Sequence, residues 1–263
     1  MCTVVVNMYG AIIGDLAGSI YEYSQTKQIK SITINNIIED NSFYSDDTIL
    51  TVAIADAILH EKDYDKYLRE YINKYKEYRP SFNPYFKTAF SPSLLKWAKT
   101  SEIGNSLGNG AMMRISPVGY LFNTEEDVIE NALLATQPSH NTKEAIDCAT
   151  TIALIIFYLR QGLSLEEVYD KLNIKINYQP FSSFNTKCRE TIDNCLYTLY
   201  NSNSFEDAIR KTIALGGDTD TNACIVGSMA EAMYGIDDTL IEQANNKIPE
   251  EFVKVLSKTR TIN

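Results

Sequence analysis

The 263-residue sequence predicts an all-α fold, a single compact orthogonal helical bundle of about ten or more helices. Three observations carry that prediction. Apolar residues recur at helical spacing along most of the chain, and a Ser, Thr or Asn followed three residues later by an acid recurs where such stretches begin. Strand-like stretches are few and unpaired, with neither a βαβ rhythm nor a repeat of roughly 20–50 residues. A composition of 44% hydrophobic and 22% charged residues supplies a core and excludes wholesale disorder. No linker interrupts the chain, so residues 1–263 read as one domain. Residues 1–7 read as a short N-terminal extension, because Met8-Tyr9-Gly10 is itself a natural start.

Each element has a local reason. Ile49, Val52, Ala53 and Leu59 make an almost wholly apolar helix from about Thr48 to His60. Lys62 to Tyr78 is amphipathic and rich in tyrosine. Three prolines between Arg79 and Pro92 mark an irregular excursion, and Phe82, Tyr85, Phe86 and Phe90 have surface to bury there, which argues against a linker. Thr124 with Asp127 opens the next helix, Asn141 with Glu144 the most apolar one, and Ser164 with Glu167 another, after Gly162. Ser204 with Asp207 opens a helix that runs to Leu215. A further helix begins near Asp220 and closes at Gly235, and Pro249 takes the first position of the last. Strand signals are confined to Ser31–Ile38, with Ile32 and Ile34 alternating, and to the β-branched run Thr3–Val6.

Charge and cysteine usage exclude several classes. Twenty-four Lys and Arg against 34 Asp and Glu give a net charge of −10, leaving no basic surplus for nonspecific nucleic-acid or anionic-membrane binding. Cys2, Cys148, Cys188, Cys195 and Cys224 form no CxxC pair, and only His60 and His140 could join them, which argues against a Cys/His zinc site. Free buried thiols of a reducing compartment fit better. The greasy run from Ala149 to Leu159 is about half of a membrane span. Met1 to Tyr9 lacks a basic leader and Asp15 interrupts the apolar stretch behind it, so a cytoplasmic location is expected.

Two acidic clusters stand out, Tyr44-Ser45-Asp46-Asp47-Thr48 and Gly216-Gly217-Asp218-Thr219-Asp220-Thr221. Taken singly, each is explained by helix capping, since carboxylates and hydroxyls satisfy orphan N–H groups at a helix start. Together they supply more oxygen than two caps need. If the fold joins them, four carboxylates would repel one another unless cations sit between them. Oxygen-only ligands suit magnesium or manganese, and four carboxylates are enough for two such ions. Ser106-Leu-Gly-Asn-Gly-Ala-Met-Met-Arg114 places Gly108, Asn109 and Gly110 before a helix start, where backbone N–H groups could cradle a phosphate; an ordinary glycine-rich loop is the rival reading. Gly14-Asp15-Leu-Ala-Gly18-Ser19 to Glu22 sets an acid in apolar surroundings, and Pro138-Ser139-His140-Asn141 joins two helices.

These five segments, in this order, resemble the ADP-ribosylglycohydrolase family over nearly the whole chain. The resemblance implies a compact all-α fold with a binuclear Mg2+ (or Mn2+) centre at the mouth of a cleft. Its ligands would be Ser45, Asp46, Asp47, Asp218, Asp220 and Thr221, with Thr48 acting as a cap. Substrate contacts would fall on Gly108, Asn109, Gly110, Ala111, Met112 and His140. Glu22 matches an acid that some branches place on a flap near the metals. The implied reaction is hydrolysis of the bond between C1″ of ADP-ribose and an acceptor, with Asp46, Asp47, Asp218 or Glu22 positioning or deprotonating the attacking water. The alternative is a catalytically inactive ADP-ribose-binding or crystallin-like relative, which would normally lack ligands; none of the six is missing. Asp218-Thr-Asp220-Thr also fits a DxDxT phosphatase element, but that element needs a hydrophobic strand before it and Gly216-Gly217 stands there. One departure concerns specificity. Lys187–Cys195, within the divergent 187–203 segment, stands where many bacterial relatives carry a Cys-Gln-Gly/Thr-Ser-Val-Pro-type segment.

Overall fold

The computed structural model describes residues 7–22, 34–79, 88–180 and 184–259. They are all-α. In chain order the helices are α1 (Gly10–Gly18), α2 (Asp46–Leu59), α3 (Tyr64–Tyr75), α4 (Pro92–Trp97), α5 (Gly110–Met113), α6 (Ser116–Leu121) and α7 (Glu125–Thr136). There follow α8 (Lys143–Arg160), α9 (Leu165–Lys171), α10 (Cys188–Tyr200), α11 (Phe205–Leu215), α12 (Thr219–Tyr234), α13 (Asp238–Asn245) and α14 (Glu250–Thr259). Extended pairing among the described residues is limited to two isolated bridges, Asn105 with His140 and Gly108 with Lys187. Thr3–Val6 and the first part of Ser31–Ile38 lie outside the described residues, as do Cys2, Phe82, Tyr85 and Phe86. No helix among the described residues is long and apolar enough to cross a membrane.

The caps follow the sequence, with local shifts. Thr124 accepts from the Asp127 N–H, Ser204 from that of Asp207, and Ser164 forms a reciprocal box with Glu167. Asn141 and Glu144 do not make the expected pair. The cap of α8 is Thr142, whose side chain accepts from the Ala145 N–H, because the Asn141 N–H is already held by the Gly104 carbonyl at 2.8 Å. Pro249 lies one residue before α14, and its carbonyl accepts from Phe252 and Val253. Thr48 is not a cap either. Ser45 fills that role, accepting from the Asp47 N–H at 3.1 Å, and the Thr48 hydroxyl donates to Asp15 instead.

Two helices make the centre. α8, the apolar helix expected from the Ala149–Leu159 run, is buried along that run. α12 is buried from Thr219 to Ala232 and lies against α1 along the whole length of the shorter helix. Gly10, Gly14 and Gly18 make that approach possible. A Cβ built on Gly14 would lie 2.0 Å from the Ala223 carbonyl oxygen, and one on Gly18 would lie 2.3 Å from that of Thr219. α1 has no side-chain cap of its own. Glu231 of α12 supplies one from outside, accepting from Asn7 N–H at 2.9 Å and Gly10 N–H at 2.6 Å.

The tyrosines of α3 and of the turn after it anchor the segment that leads into α2. Tyr44 stacks on Tyr78 at a ring separation of 4.2 Å, and the Tyr78 hydroxyl donates to the Tyr44 carbonyl. Phe252 of α14 packs against Tyr44, Tyr71 and Tyr75. The tyrosine-rich face thus holds Tyr44 in place immediately before Ser45. At the other acidic segment, Gly216 and Gly217 both adopt positive φ, 76° and 75°. Consecutive left-handed residues reverse the chain from α11 into α12, a conformation that side chains with a Cβ resist by roughly 1–2 kcal/mol each.

Candidate metal centre and cleft

The start of α2, the start of α12 and the middle of α1 meet at one point. Carboxylate oxygens of Asp15, Asp47 and Asp220 lie within 4.8 Å of one another, and so do those of Glu22, Asp218 and Asp220. Asp220 belongs to both groups. Hydroxyls tie the two helix starts together: Ser45 Oγ donates to Asp47 Oδ2 at 3.0 Å, and Thr221 Oγ1 donates to the same oxygen at 3.2 Å. Asp218 sits at the N-cap position of α12, yet its side chain caps nothing. It accepts instead from Asn109 Nδ2 at 2.7 Å. The capping explanation of this cluster therefore fails for Asp218.

Asp15 was legible only as an acid in a greasy helix. Its Oδ2 accepts three hydrogen bonds, from Ser45 N–H (2.9 Å), Thr48 N–H (3.0 Å) and the Thr48 hydroxyl (2.6 Å). One carboxylate of α1 thus caps α2 across the fold and sets where Asp46 and Asp47 project. Its Oδ1 is buried with no partner among the described residues, as are Glu22 Oε2 and Asp47 Oδ1.

Electrostatics set the terms for this crowd. Burial, and then the charges of Asp218, Asp46 and Asp15, push Glu22 up to about 9. Burial, with Asp15 and Asp218, raises Asp46 to about 8, against the pull of Arg114. Burial lifts Asp15 to about 6 despite its three donors. Asp47 and Asp220 are driven well above the ordinary carboxylate range by burial and by their acidic neighbours, and Asp218 is raised by burial while Asn109 opposes the shift. Unpaired buried oxygens on converging carboxylates need either protons or cations. Every donor is a hard oxygen, which fits magnesium or manganese and not a soft-metal site.

A pH dependence follows. For a carboxylate whose folded pKa lies above its unfolded value, the stabilising contribution is complete below the unfolded pKa and is lost as pH rises through the folded one. Glu22 and Asp46 place that loss between roughly pH 5 and 9. In chelator, the thermal midpoint is expected to fall as pH rises across this window. Added Mg2+ should raise it more at about pH 8.5 than at about pH 5.5, since the ligands bind metal only when deprotonated. Thermal unfolding at both pH values checks this, and a Mg2+ effect independent of pH would contradict the crowded-carboxylate geometry.

The acidic cluster forms part of the lining of a cleft of about 820 Å3 that also runs past Gly108, Asn109, Gly110, Met113, Arg114 and His140, and past Phe90, Leu94, Trp97 and Phe184. The glycine loop is braced from the divergent segment. Asn109 N–H donates to the Thr186 carbonyl at 2.7 Å, Cys188 N–H to that of Leu107 at 2.9 Å, and the Cys188 thiol to that of Gly108. Of the expected substrate contacts, Gly108, Asn109 and Gly110 line the cleft, with the Asn109 side chain held by Asp218, whereas the buried Ala111 and Met112 are not part of the lining and Met113 and Arg114 are. Gly108 and Asn109 precede a helix start as expected, and Gly110 itself begins α5, a single turn of four residues. His140 lies in the cleft lining, as expected. Of the expected metal set, Ser45, Asp47, Asp218, Asp220 and Thr221 come together with Asp15 and Glu22, and Asp46 lines the cleft beside them. Arg114, Ser139 and the aromatic lining escaped sequence reasoning, and Asp15 was marked only as an acid in apolar surroundings, because nothing local pointed to their partners.

Comparison with known proteins adds an independent line. The ADP-ribosylglycohydrolase family profile matches residues 4–263. The mouse ADP-ribosylhydrolase ARH3 is 22% identical, over 87% of this chain and 82% of its own length. The ADP-ribosylarginine hydrolase Tri1 of Pseudomonas putida is 24% identical, over 87% of this chain and 70% of its own. A solved structure described as an ADP-ribosylglycohydrolase-related protein complex superposes with a TM-score of 0.71 at 18% identity, covering 98% of this chain and 94% of that one, a likeness of fold.

Proposed function

The chain belongs to the ADP-ribosylglycohydrolase family, and from that premise we propose that it hydrolyses the C1″ glycosidic bond of ADP-ribose conjugates with the help of two Mg2+ (or Mn2+) ions. The observation that carries the reading is the meeting of Asp47 with Asp15 and Asp220, and of Asp218 with Glu22 and Asp220, across helix starts more than 170 residues apart, with oxygens of Asp15, Glu22 and Asp47 buried and unpaired. Ser45, Asp46, Asp47, Asp218, Asp220 and Thr221 would hold the ions. Such ions, when bound, supply Lewis acidity at neutral pH and a template for vicinal ribose hydroxyls.

The chain's own residues account for the rest. Asp15 holds the Ser45–Thr48 turn by three hydrogen bonds, and Asn109 holds Asp218, so the cluster is organised before substrate arrives. Glu22 lines the cleft and has an unpaired Oε2; burial and its crowded acidic neighbours keep it protonated at neutral pH, so it would take a proton from the attacking water only once bound cations offset those charges. Cleavage at C1″ builds positive charge on the ribose ring, which the surrounding carboxylates favour. Phe90, Trp97 and Phe184 offer apolar faces for an adenine ring, and a cleft of about 820 Å3 lies within the usual range for a nucleotide-sized ligand.

A panel of ADP-ribose conjugates linked through arginine nitrogen, serine oxygen and O-acetyl groups tests the proposal. ADP-ribose is expected to be released from at least one member with Mg2+ and from none with chelator. Binding of ADP-ribose without release from any conjugate would favour the inactive reader instead.

A further inference from the structure

Beside the acidic cluster, the cleft contains a hydrogen-bonded chain that the reaction above does not use. Arg114 is 1% exposed, and its Nη2 donates to Ser139 Oγ at 2.7 Å and to the Ala135 carbonyl at 3.3 Å. Its Nε and Nη1 have no partner among the described residues, so the guanidinium is held through Nη2. Ser139 Oγ in turn lies 2.7 Å from His140 Nδ1.

Proton accounting along this chain has one economical solution. A guanidinium only donates, so Ser139 Oγ accepts from Arg114 and has one proton of its own to give. His140 Nδ1 is the only other partner of that hydroxyl among the described residues. If Nδ1 carried the proton, the hydroxyl would accept twice and its own hydrogen would be buried unpaired, a disfavoured state. With the hydroxyl donating to Nδ1, the ring proton moves to Nε2 and every hydrogen of the Nη2–Oγ–Nδ1 chain is used.

Nε2 faces the glycine loop. A Cβ on Gly110 would lie 3.4 Å from it, and one on Gly108 would lie 3.9 Å away, so the two glycines leave the space beside this N–H open. We propose that Arg114 and Ser139 are positioning residues that lock His140 as the Nε2–H tautomer, a fixed hydrogen-bond donor to a phosphate oxygen of the ADP-ribose diphosphate. The ligand in this inference rests on the proposed function; the tautomer does not. Burial and the neighbouring Arg114 charge also hold the proton affinity of His140 well below its ordinary value, which keeps the ring from becoming an imidazolium.

The chain has two histidines, so the test is direct. Long-range proton–nitrogen NMR correlations of the full-length 15N-labelled protein, with His60→Gln for assignment, should show His140 with Nε2 protonated and Nδ1 as a bare acceptor. ADP-ribose should perturb the Nε2 resonance. A protonated Nδ1, an averaged pair or an imidazolium would overturn the lock. Ser139→Ala is expected to average the two tautomers and, with about half of the molecules still presenting Nε2–H, to weaken ADP-ribose binding about twofold by calorimetry, without changing Mg2+ affinity. Ser139→Thr restores the hydroxyl and should restore the single tautomer; should the alanine variant not fold, the wild-type and threonine spectra still decide. Turnover of a conjugate by the wild-type protein with an averaged imidazole overturns the lock alone, and a locked imidazole with no affinity for ADP-ribose overturns the assigned ligand.

Discussion

Asp218→Ala is expected to reduce ADP-ribose release by about a thousandfold or more while leaving the helical circular-dichroism signal intact. The fold should survive because the Asp218 side chain makes no capping bond; its partner is Asn109, and the turn before α12 is made by Gly216 and Gly217. The chemistry should not survive. Removing this carboxylate takes one oxygen pair from the Glu22, Asp218 and Asp220 group and frees the Asn109 amide to rotate. Asp47→Ala should do the same from the other side, because Asp47 Oδ2 receives both Ser45 and Thr221 and so joins the two helix starts. Calorimetric titration with Mg2+ gives a readout apart from turnover, and both variants should lose affinity. Retained release by either variant would remove the metal-based mechanism, and lost helicity would reassign the residue to folding.

Gly14→Ala should be strongly destabilising. The new Cβ would meet the Ala223 carbonyl oxygen at 2.0 Å, its carbon at 2.3 Å and the Cys224 nitrogen at 2.6 Å. These are backbone atoms of a buried helix and cannot swing aside, so α1 and α12 must separate. Overpacking a core by a methylene ordinarily costs about 1–3 kcal/mol, and a clash with backbone belongs at the top of that range or above. A loss of about 3 kcal/mol corresponds to roughly 6–12 °C in the thermal midpoint of a domain this size. The same shift carries Asp15 away from Asp220, so Mg2+ affinity should fall together with stability. Gly162→Ala is the control. Its φ is +92° but nothing lies within 4 Å of its added Cβ, so it should cost about 1 kcal/mol and leave metal binding unchanged. Equal effects at the two glycines would mean that α1 and α12 are not closely packed.

The helix ends show how far sequence reasoning reaches. Thr124, Ser164 and Ser204 cap where a hydroxyl and an acid three residues apart say they should, because those interactions close within one turn. Asn141 misled for a non-local reason: its N–H is claimed by Gly104, some 37 residues earlier in the chain, and the helix start moves on to Thr142. Thr48 differed for the same kind of reason: the resemblance made it a cap of its own helix, and its hydroxyl is taken by Asp15 from another element. Asn109 lines the cleft as expected, but its amide is shared with Asp218 from another element.

The sequence by itself determined the helical class, several helix starts and the chemical kind of the candidate centre, since caps, periodicity and oxygen-rich clusters are properties of neighbours along the chain. Only the tertiary structure decided that the two clusters meet, that Asp15 rather than Thr48 completes the cap of α2, and that Ser139 stands between Arg114 and His140. Those facts depend on how closely α1 and α12 approach and on how residues 104–106 pair with 139–141. Such distances are set by packing between segments remote in sequence, which no local pattern encodes.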